Sequence, residues 1–380
     1  MGSALFCYIG EDDAGGLEGA GASQADGPAS SWSGFRIDGL SMTLCPGKLP
    51  AALLASVIRQ RGAPDKAVVV GPAFGEDAAV IDLGSRYLVL KSDPVTFTTS
   101  EIGWYAVHVN ANDVAVMGAR PRWFQPTIIL PPRCPARLPL TIARDIHRAA
   151  RGLGIAVTGG HTEVSEAVRQ PIIAGDMQGL VARDRLILSS GARPGDVIVM
   201  TKWAGIEGTS IIARDYARVA RRVLGIAACE RAARFHHRPG ISVVRDAAIA
   251  ARHRASALHD PTEGGVAAGL YEMAAASGCR FVIDLDDIPV HPYTNVLCEY
   301  FGLDPLGLIG SGALLAAIRS ESARGLLRAL KARRIPARVI GRVVRGREIE
   351  ARRAGRRVRF RWSERDQLTR LPARAPRRGR

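Results

Sequence analysis

A set of carboxylates stands at turns of this chain, each beside small or glycine residues. They stand in Gly75-Glu76-Asp77-Ala78-Ala79, in Ser92-Asp93-Pro94 and in Asn112-Asp113, which opens the stretch Asn112–Pro121. They recur in Gly159-Gly160-His161-Thr162-Glu163 and in His259-Asp260-Pro261-Thr262-Glu263-Gly264-Gly265. A chain with a formal net charge of +16 has no general need for carboxylates in such turns. If the strand ends converge, the acids build a hard, oxygen-rich site that suits Mg²⁺ better than Zn²⁺. The glycines would let backbone N–H groups approach an anion such as phosphate. The pattern therefore asks for a fold that gathers several strand ends at one place, and it suggests a Mg-nucleotide site.

Helical and strand periods alternate along both halves of the chain. A short helix is expected over Pro50–Arg61, where Leu53, Leu54, Val57 and Ile58 share a face. Ala78–Leu83 and Tyr87–Lys91, split by Gly84-Ser85, read as a hairpin. Glu101–Met117 reads as a helix with Asn110 and Asp113 on one face. A strand at Thr127–Leu130, a helix at Leu140–Arg151 ended by Gly152 and Gly154, and strands at Ile155–Thr158 and Ile172–Leu180 follow. Arg193-Pro194-Gly195-Asp196 opens a second unit. In it, strands are expected at Val197–Thr201, Phe281–Asp284, Ala313–Ile318 and, last, Ala337–Val343. Helices are expected from about Thr209, over Ser242–Arg252, from Asp260 to about Ser277, and over Ser320–Arg333. The expectation is an α/β (α+β) protein of two domains, 46–190 and 191–345. Residues 1–45 read as a disordered extension rich in Gly, Ala and Ser, and 346–380 as a basic tail.

The charge is uneven. Arg342–Arg380 holds fifteen arginines and four acids, so most of the basicity belongs to a solvated terminus. A nucleic-acid role is not expected except through that tail, which has few aromatics beyond Phe360 and Trp362. The six cysteines form no C-x-x-C pair and read as reduced thiols. There is no apolar run long enough to span a membrane and no secretory leader pattern, so a soluble, cytoplasmic protein without a membrane partner is expected.

Asn112–Pro121 (NDVAVMGARP), His259–Gly265 (HDPTEGG) and Gly75–Val80 (GEDAAV) together resemble a known superfamily. It is that of aminoimidazole ribonucleotide (AIR) synthetase, thiamine-monophosphate kinase, selenophosphate synthetase and the hydrogenase maturation factor HypE. The resemblance runs from about Gly71 to Val343. It implies an N-terminal α/β domain forming a shared barrel in a homodimer, a second α/β domain packed on it, and ATP in a cleft with Mg²⁺ held by carboxylates. Position by position, it implies Asp77, Asp93 and Asp113 as Mg²⁺-phosphate carboxylates and Asp260 as the carboxylate of the second domain. Gly75, Asn112, Gly159, Gly160 and Thr162 are candidate nucleotide contacts.

Plainer explanations exist for each residue. Asp77 can be a turn or capping residue, Asp93 an Asx turn, and Asp113 a helix-surface acid. Asp260 or Thr262 can cap a helix whose first turn accepts Pro261. Relatives carry an acid where His161 stands, so His161 and Glu163 are candidates for acid/base or substrate-contacting roles beside Asp113. His108 reads as packing and His259 as support for its loop. The Gly205–Thr209 loop either faces substrate or turns the chain.

The expected chemistry is ATP-dependent phosphoryl transfer to an amide, carboxylate or phosphate oxygen of a small-molecule or protein-borne acceptor. The Gly-His-Thr-Glu variant and the Gly205–Thr209 loop look HypE-like, but no cysteine follows Cys298 in this sequence to match the terminal acceptor thiol of HypE. A thiamine-monophosphate-kinase-like enzyme and a non-catalytic ATP-binding maturation partner are the alternatives.

Overall fold

The computed structural model describes Leu44 and residues 46–60, 62–363 and 365–372. The extension expected over 1–45 lies, apart from Leu44, outside the described residues, as do Cys7, Cys45 and the last eight residues of the expected tail.

Two sheets organise the chain. The first half runs α1 (Ala51–Ile58), β1 (Val68–Val70), β2 (Ala79–Asp82), β3 (Arg86–Val95), α2 (Ile102–Val116), β4 (Arg120–Leu130) and α3 (Arg137–Leu153). It closes with β5 (Ala156–Val157), β6 (His161–Val164) and β7 (Ile172–Ala182). The first sheet has the order β1-β2-β3-β7-β4-β5, with β6 also paired to β4. The expected hairpin is β2–β3, in register Ala79↔Leu90 through Asp82↔Tyr87.

The second half contains β8 (Asp196–Thr201), α4 (Ile206–Asp215), α5 (Ala217–Leu224), α6 (Ile226–Ala233), α7 (Val244–Arg252), β9 (Ala257–His259) and α8 (Gly265–Ser277). Then come β10 (Arg280–Asp284), α9 (Pro292–Phe301), β11 (Leu315–Arg319), α10 (Ser320–Ala332), β12 (Ala337–Val344), β13 (Ile349–Arg353) and β14 (Arg356–Val358). Their sheet is ordered β14-β13-β10-β12-β8-β11-β9. A mixed helix-and-sheet protein with two sheets is thus what the alternating periods led one to expect.

Helix α2 is the element that positions the site. Its residues are buried apart from Trp104 and Val109, because it lies against β3 and β7 on one side and α3 and α7 on the other. Close approach to α3 depends on Gly103, where a Cβ would stand 2.6 Å from the Ile142 carbonyl oxygen. The apolar cores of the halves are continuous: Ile206, Phe235 and Ile241 of the second half pack into the cluster that holds Tyr105, Val114 and Phe124.

Several expectations are corrected. The last strand is not β12. β13 pairs in parallel with β10, and β14 continues that edge antiparallel to β13. The start of the expected tail is therefore sheet, with Ala351 fully buried. Counting charge hid the alternation Ile349, Ala351 that puts one face of this Arg-rich run on the core. Asp260 does not open a helix either: α8 starts at Gly265, and Gly264 at its N-cap donates its N–H to Asp366 Oδ2 at 2.9 Å. Helices α5, α6 and α9 were not expected.

The Gly159-Gly160 turn has a structural cause. Strand β4 pairs with β5 up to Phe124 and with β6 from Thr127, so the turn passes over Gln125-Pro126. Pro126 has no N–H to offer a neighbouring strand. Gly160 sits at φ 141°, where a Cβ would lie 2.3 Å from the Pro126 carbonyl oxygen.

Candidate functional site: a buried carboxylate cluster at a cleft

A cleft of about 1240 Å³ opens where the Gly71–Ala79 loop, the end of β3 and helix α8 meet. Asp77, at the mouth of β2, and Asp113, in the last turn of α2, line it, and Asp260, in the loop after β9, lies beside them. All three are buried. Carboxylate oxygens of the three lie within 4.8 Å of one another. Both oxygens of Asp260 lack a hydrogen-bond partner among the described residues, and Asp113 Oδ2 meets only the Lys91 ammonium, at 3.4 Å. Buried oxygens left this way are costly unless a cation serves them. The all-oxygen donor set suits a hard cation.

The electrostatics follow from this crowding. Burial, then the neighbouring Asp93 and Asp77 charges, push the Asp113 carboxyl up to about 8 against the pull of Lys91. Asp260 is raised well above the carboxylate range by burial and by Asp113 and Asp77. Desolvation opposes the charge on Lys91, but Asp113 and Asp93 outweigh it and hold the ammonium above its ordinary value.

Asp93 lies beside the cluster, partly exposed, with Lys91 Nζ at 3.8 Å from its Oδ2. Lys91 and Asp93 are two apart on β3 and so share a face of the strand. The spacing is visible in the sequence, and it is the signal by which Lys91 could have been found. Lys48, which also lines the cleft, pairs with Glu272 at 3.1 Å.

His259 does more than support a loop. Its Nδ1 faces Asp77 Oδ1 at 2.8 Å and its Nε2 faces Glu272 Oε2 at 3.0 Å. Desolvation works against an imidazolium, but the two carboxylates prevail and raise His259 well above its usual value. Ser189 Oγ donates to the other Asp77 oxygen at 2.7 Å. Glu76, which also lines the cleft, accepts the backbone N–H groups of Ser189 and Ser190.

Other expected site residues stand elsewhere. Asn112 is buried and spends both polar atoms on the second half: Nδ2 donates to the Ile241 carbonyl and Oδ1 accepts from Val243 N–H, each at 2.8 Å. It ties the halves together through both ends of its amide. Gly75, at φ +82°, lines the cleft and packs its loop on α8, where a Cβ would meet the Glu272 carbonyl oxygen at 2.9 Å. His161, Thr162 and Glu163 lie exposed on β6 and are not among the residues that line the cleft. His161 Nε2 and Glu163 Oε2 pair with each other at 3.3 Å. Glu207 of the Gly205–Thr209 loop is buried, which pushes its carboxyl up to about 8.

Residues 75–181 match the family model for AIR synthase related protein, N-terminal domain, and residues 193–353 match that for the C-terminal domain. The chain belongs to the AIR synthase-related family. Among similar members is the carbamoyl dehydratase HypE of Rhodobacter capsulatus, 31% identical over 283 residues, which are 74% of this chain and 80% of that protein. The solved structure of the hydrogenase maturation protein HypE in complex with ATP superposes with a TM-score of 0.64 at 25% identity, covering 78% of this chain and 90% of that one. A thiamine monophosphate kinase from Aquifex aeolicus shares the fold, with a TM-score of 0.60 at 20% identity over 74% of this chain and 92% of that one. The first matched segment ends at Val181, and the second begins at Arg193 and runs to Arg353, the end of β13.

Proposed function

We propose that this AIR synthase-related protein binds ATP with Mg²⁺ in the cleft and transfers its γ-phosphoryl group to an acceptor oxygen. The observation that carries this reading is the trio Asp77, Asp113 and Asp260, buried together, with both oxygens of Asp260 lacking a hydrogen-bond partner among the described residues. Mg²⁺ bound there would neutralise phosphate charge. Asp93 and the trio fix where the polyphosphate lies. Lys91 and Lys48 offer ammonium groups to its oxygens. His259 holds Asp77 in one orientation through Nδ1, and Glu272 holds His259. The chain's contribution is orientation and fixed charge, with no covalent intermediate.

The relatives named carbamoyl dehydratase favour an amide oxygen as acceptor. Phosphorylation there makes a bond from the amide oxygen to phosphorus, breaks the bridging oxygen–γ-phosphorus bond and releases ADP, which turns a poor leaving group into a good one. Cys298 is buried, and burial pushes its thiol up to about 12, so it is not the acceptor. On this reading the amide is borne by a small molecule or by a protein acceptor. A homodimer gives His161, Thr162 and Glu163 their route to a nucleotide, since β6 of one copy would have to reach the cleft of the other.

The test is calorimetric titration of ATP, with and without Mg²⁺, into wild type and Asp113→Asn. The reading expects Mg²⁺-dependent binding that the substitution abolishes. Equal binding by both proteins would sink it.

A further inference from the structure

A second cluster of ligating side chains lies at the opposite end of α2. Glu101 precedes the helix, so it stands roughly 18 Å along the helix axis from Asp113 at 1.5 Å per residue. Facing it are His236 and His237, from a π-helical stretch between α6 and α7. His237 Nε2 lies 3.0 Å from Glu101 Oε1, and His236 Nε2 contacts Oε2. Ligand atoms of the three residues all fall within 4.8 Å of one another. They line a separate cavity of about 680 Å³, together with Arg214, Arg234 and Arg238.

Ser210 Oγ donates to the Ala233 carbonyl at 2.9 Å and lies 2.9 Å from His236 Nδ1, so a fixed oxygen holds Nδ1 while Nε2 faces the Glu101 carboxylate. Metal-bound histidines are held in this way, with the far nitrogen donating to a fixed oxygen. Glu101 is oriented too, by Arg148 Nη2 at 2.9 Å on Oε1. Its backbone sits at φ 53°, a conformation that costs a non-glycine residue energy and persists where the surroundings demand it. Trp104 packs edge-on against His237 with ring centroids 4.6 Å apart, which limits its rotation.

We propose that Glu101, His236 and His237 form a site for a zinc-class divalent metal ion that ties the start of α2 to the 236–240 segment of the second half. Two imidazoles and one carboxylate suit Zn²⁺, Co²⁺ or Fe²⁺, whereas Mg²⁺ belongs to the all-oxygen cluster. The cavity leaves further coordination positions open. Arg214 Nη1, 4.0 Å from Glu101 Oε2 and buried without a hydrogen-bond partner among the described residues, favours an anion there as the added ligand.

The test uses the full chain, stripped of metal by a chelator and then saturated with Mg²⁺ so that the carboxylate cluster is filled. Co²⁺ titration is expected to give one equivalent of visible ligand-field absorption, displaced by Zn²⁺. His237→Ala should weaken this at least tenfold, and Asp113→Asn should leave it intact. His237 is a third exposed, so its removal spares the core, and Glu101→Gln provides a second variant. Zn²⁺ should also raise the melting temperature of wild type but not of His237→Ala. Absence of the absorption in wild type, or its persistence in both His237→Ala and Glu101→Gln, overturns the proposal.

Discussion

Asn110 holds Asp93 by both of its backbone polar groups. Its Nδ2 donates to the Asp93 carbonyl at 3.1 Å, and its Oδ1 accepts the Asp93 N–H at 2.9 Å. A buried residue of α2 thus sets where β3 presents its acid, and Asn110 Nδ2 also reaches the Ala106 carbonyl one turn back. Asn110→Ala leaves the Asp93 backbone pair unserved. It should cost about 2–4 kcal/mol in a urea unfolding titration and weaken Mg-ATP binding by calorimetry. Unchanged stability would show that water replaces the amide.

The carboxylate cluster sets a pH dependence for the metal-free protein. Asp113 is raised to about 8 in the folded chain by burial, from an ordinary value near 4 when unfolded. A raised folded value stabilises fully below the unfolded one, and that stability is lost as pH climbs through the folded one. Asp260 and His259, both raised, act in the same direction. Thermal melts without metal should therefore fall in midpoint between about pH 4 and pH 8. Asp113→Asn should flatten the slope.

Lys202 is a buried ammonium with three acceptors. It meets Asp246 Oδ2 at 3.0 Å and donates to the Ser242 and Gly312 carbonyls at 2.7 and 2.8 Å. Lys202→Met strands the Asp246 charge in the interior and should destabilise by about 3–5 kcal/mol, measured by chemical denaturation. Replacing Lys202 and Asp246 together with apolar residues should recover part of that loss.

If β6 completes the site of a second copy, mixed dimers should complement. Asp113→Asn and His161→Ala homodimers would each turn over ATP poorly. Co-refolded mixtures should regain activity toward a quarter of wild type, because one of the two clefts in each mixed dimer is intact. Turnover that never exceeds that of either variant alone would confine both residues to one chain's chemistry or to none.

The C-terminal segment is part of the fold. Asp366 is fully buried, caps the start of α8 through Gly264 N–H, and accepts Leu368 N–H at 2.8 Å. Nearby, Trp362 stacks on Tyr271 of α8 with ring centroids 3.6 Å apart. Truncation after Val344 should lower the melting temperature markedly and yield aggregated protein, since it strips β13 from the β10 edge. A truncated chain that melts like wild type would restore the separate basic tail.

The sequence by itself determined the alternation of helices and strands, the β2–β3 hairpin and the family. These rest on local periods and on motifs whose order along the chain can be read directly. It also marked Asp77, Asp113 and Asp260 as carboxylates to be gathered. Only the tertiary structure decided what each neighbour does. Asn112 lies next to Asp113, yet a helix turns successive side chains about 100° apart, so Asn112 binds Ile241 and Val243 while Asp113 faces the cleft. His259 gained its carboxylate partners from residues 182 and 13 positions away. The pairing of Glu101 with His236 and His237 spans 135 and 136 residues. No local period carries such information, because it arises from how α2 is packed between the sheet and the second half.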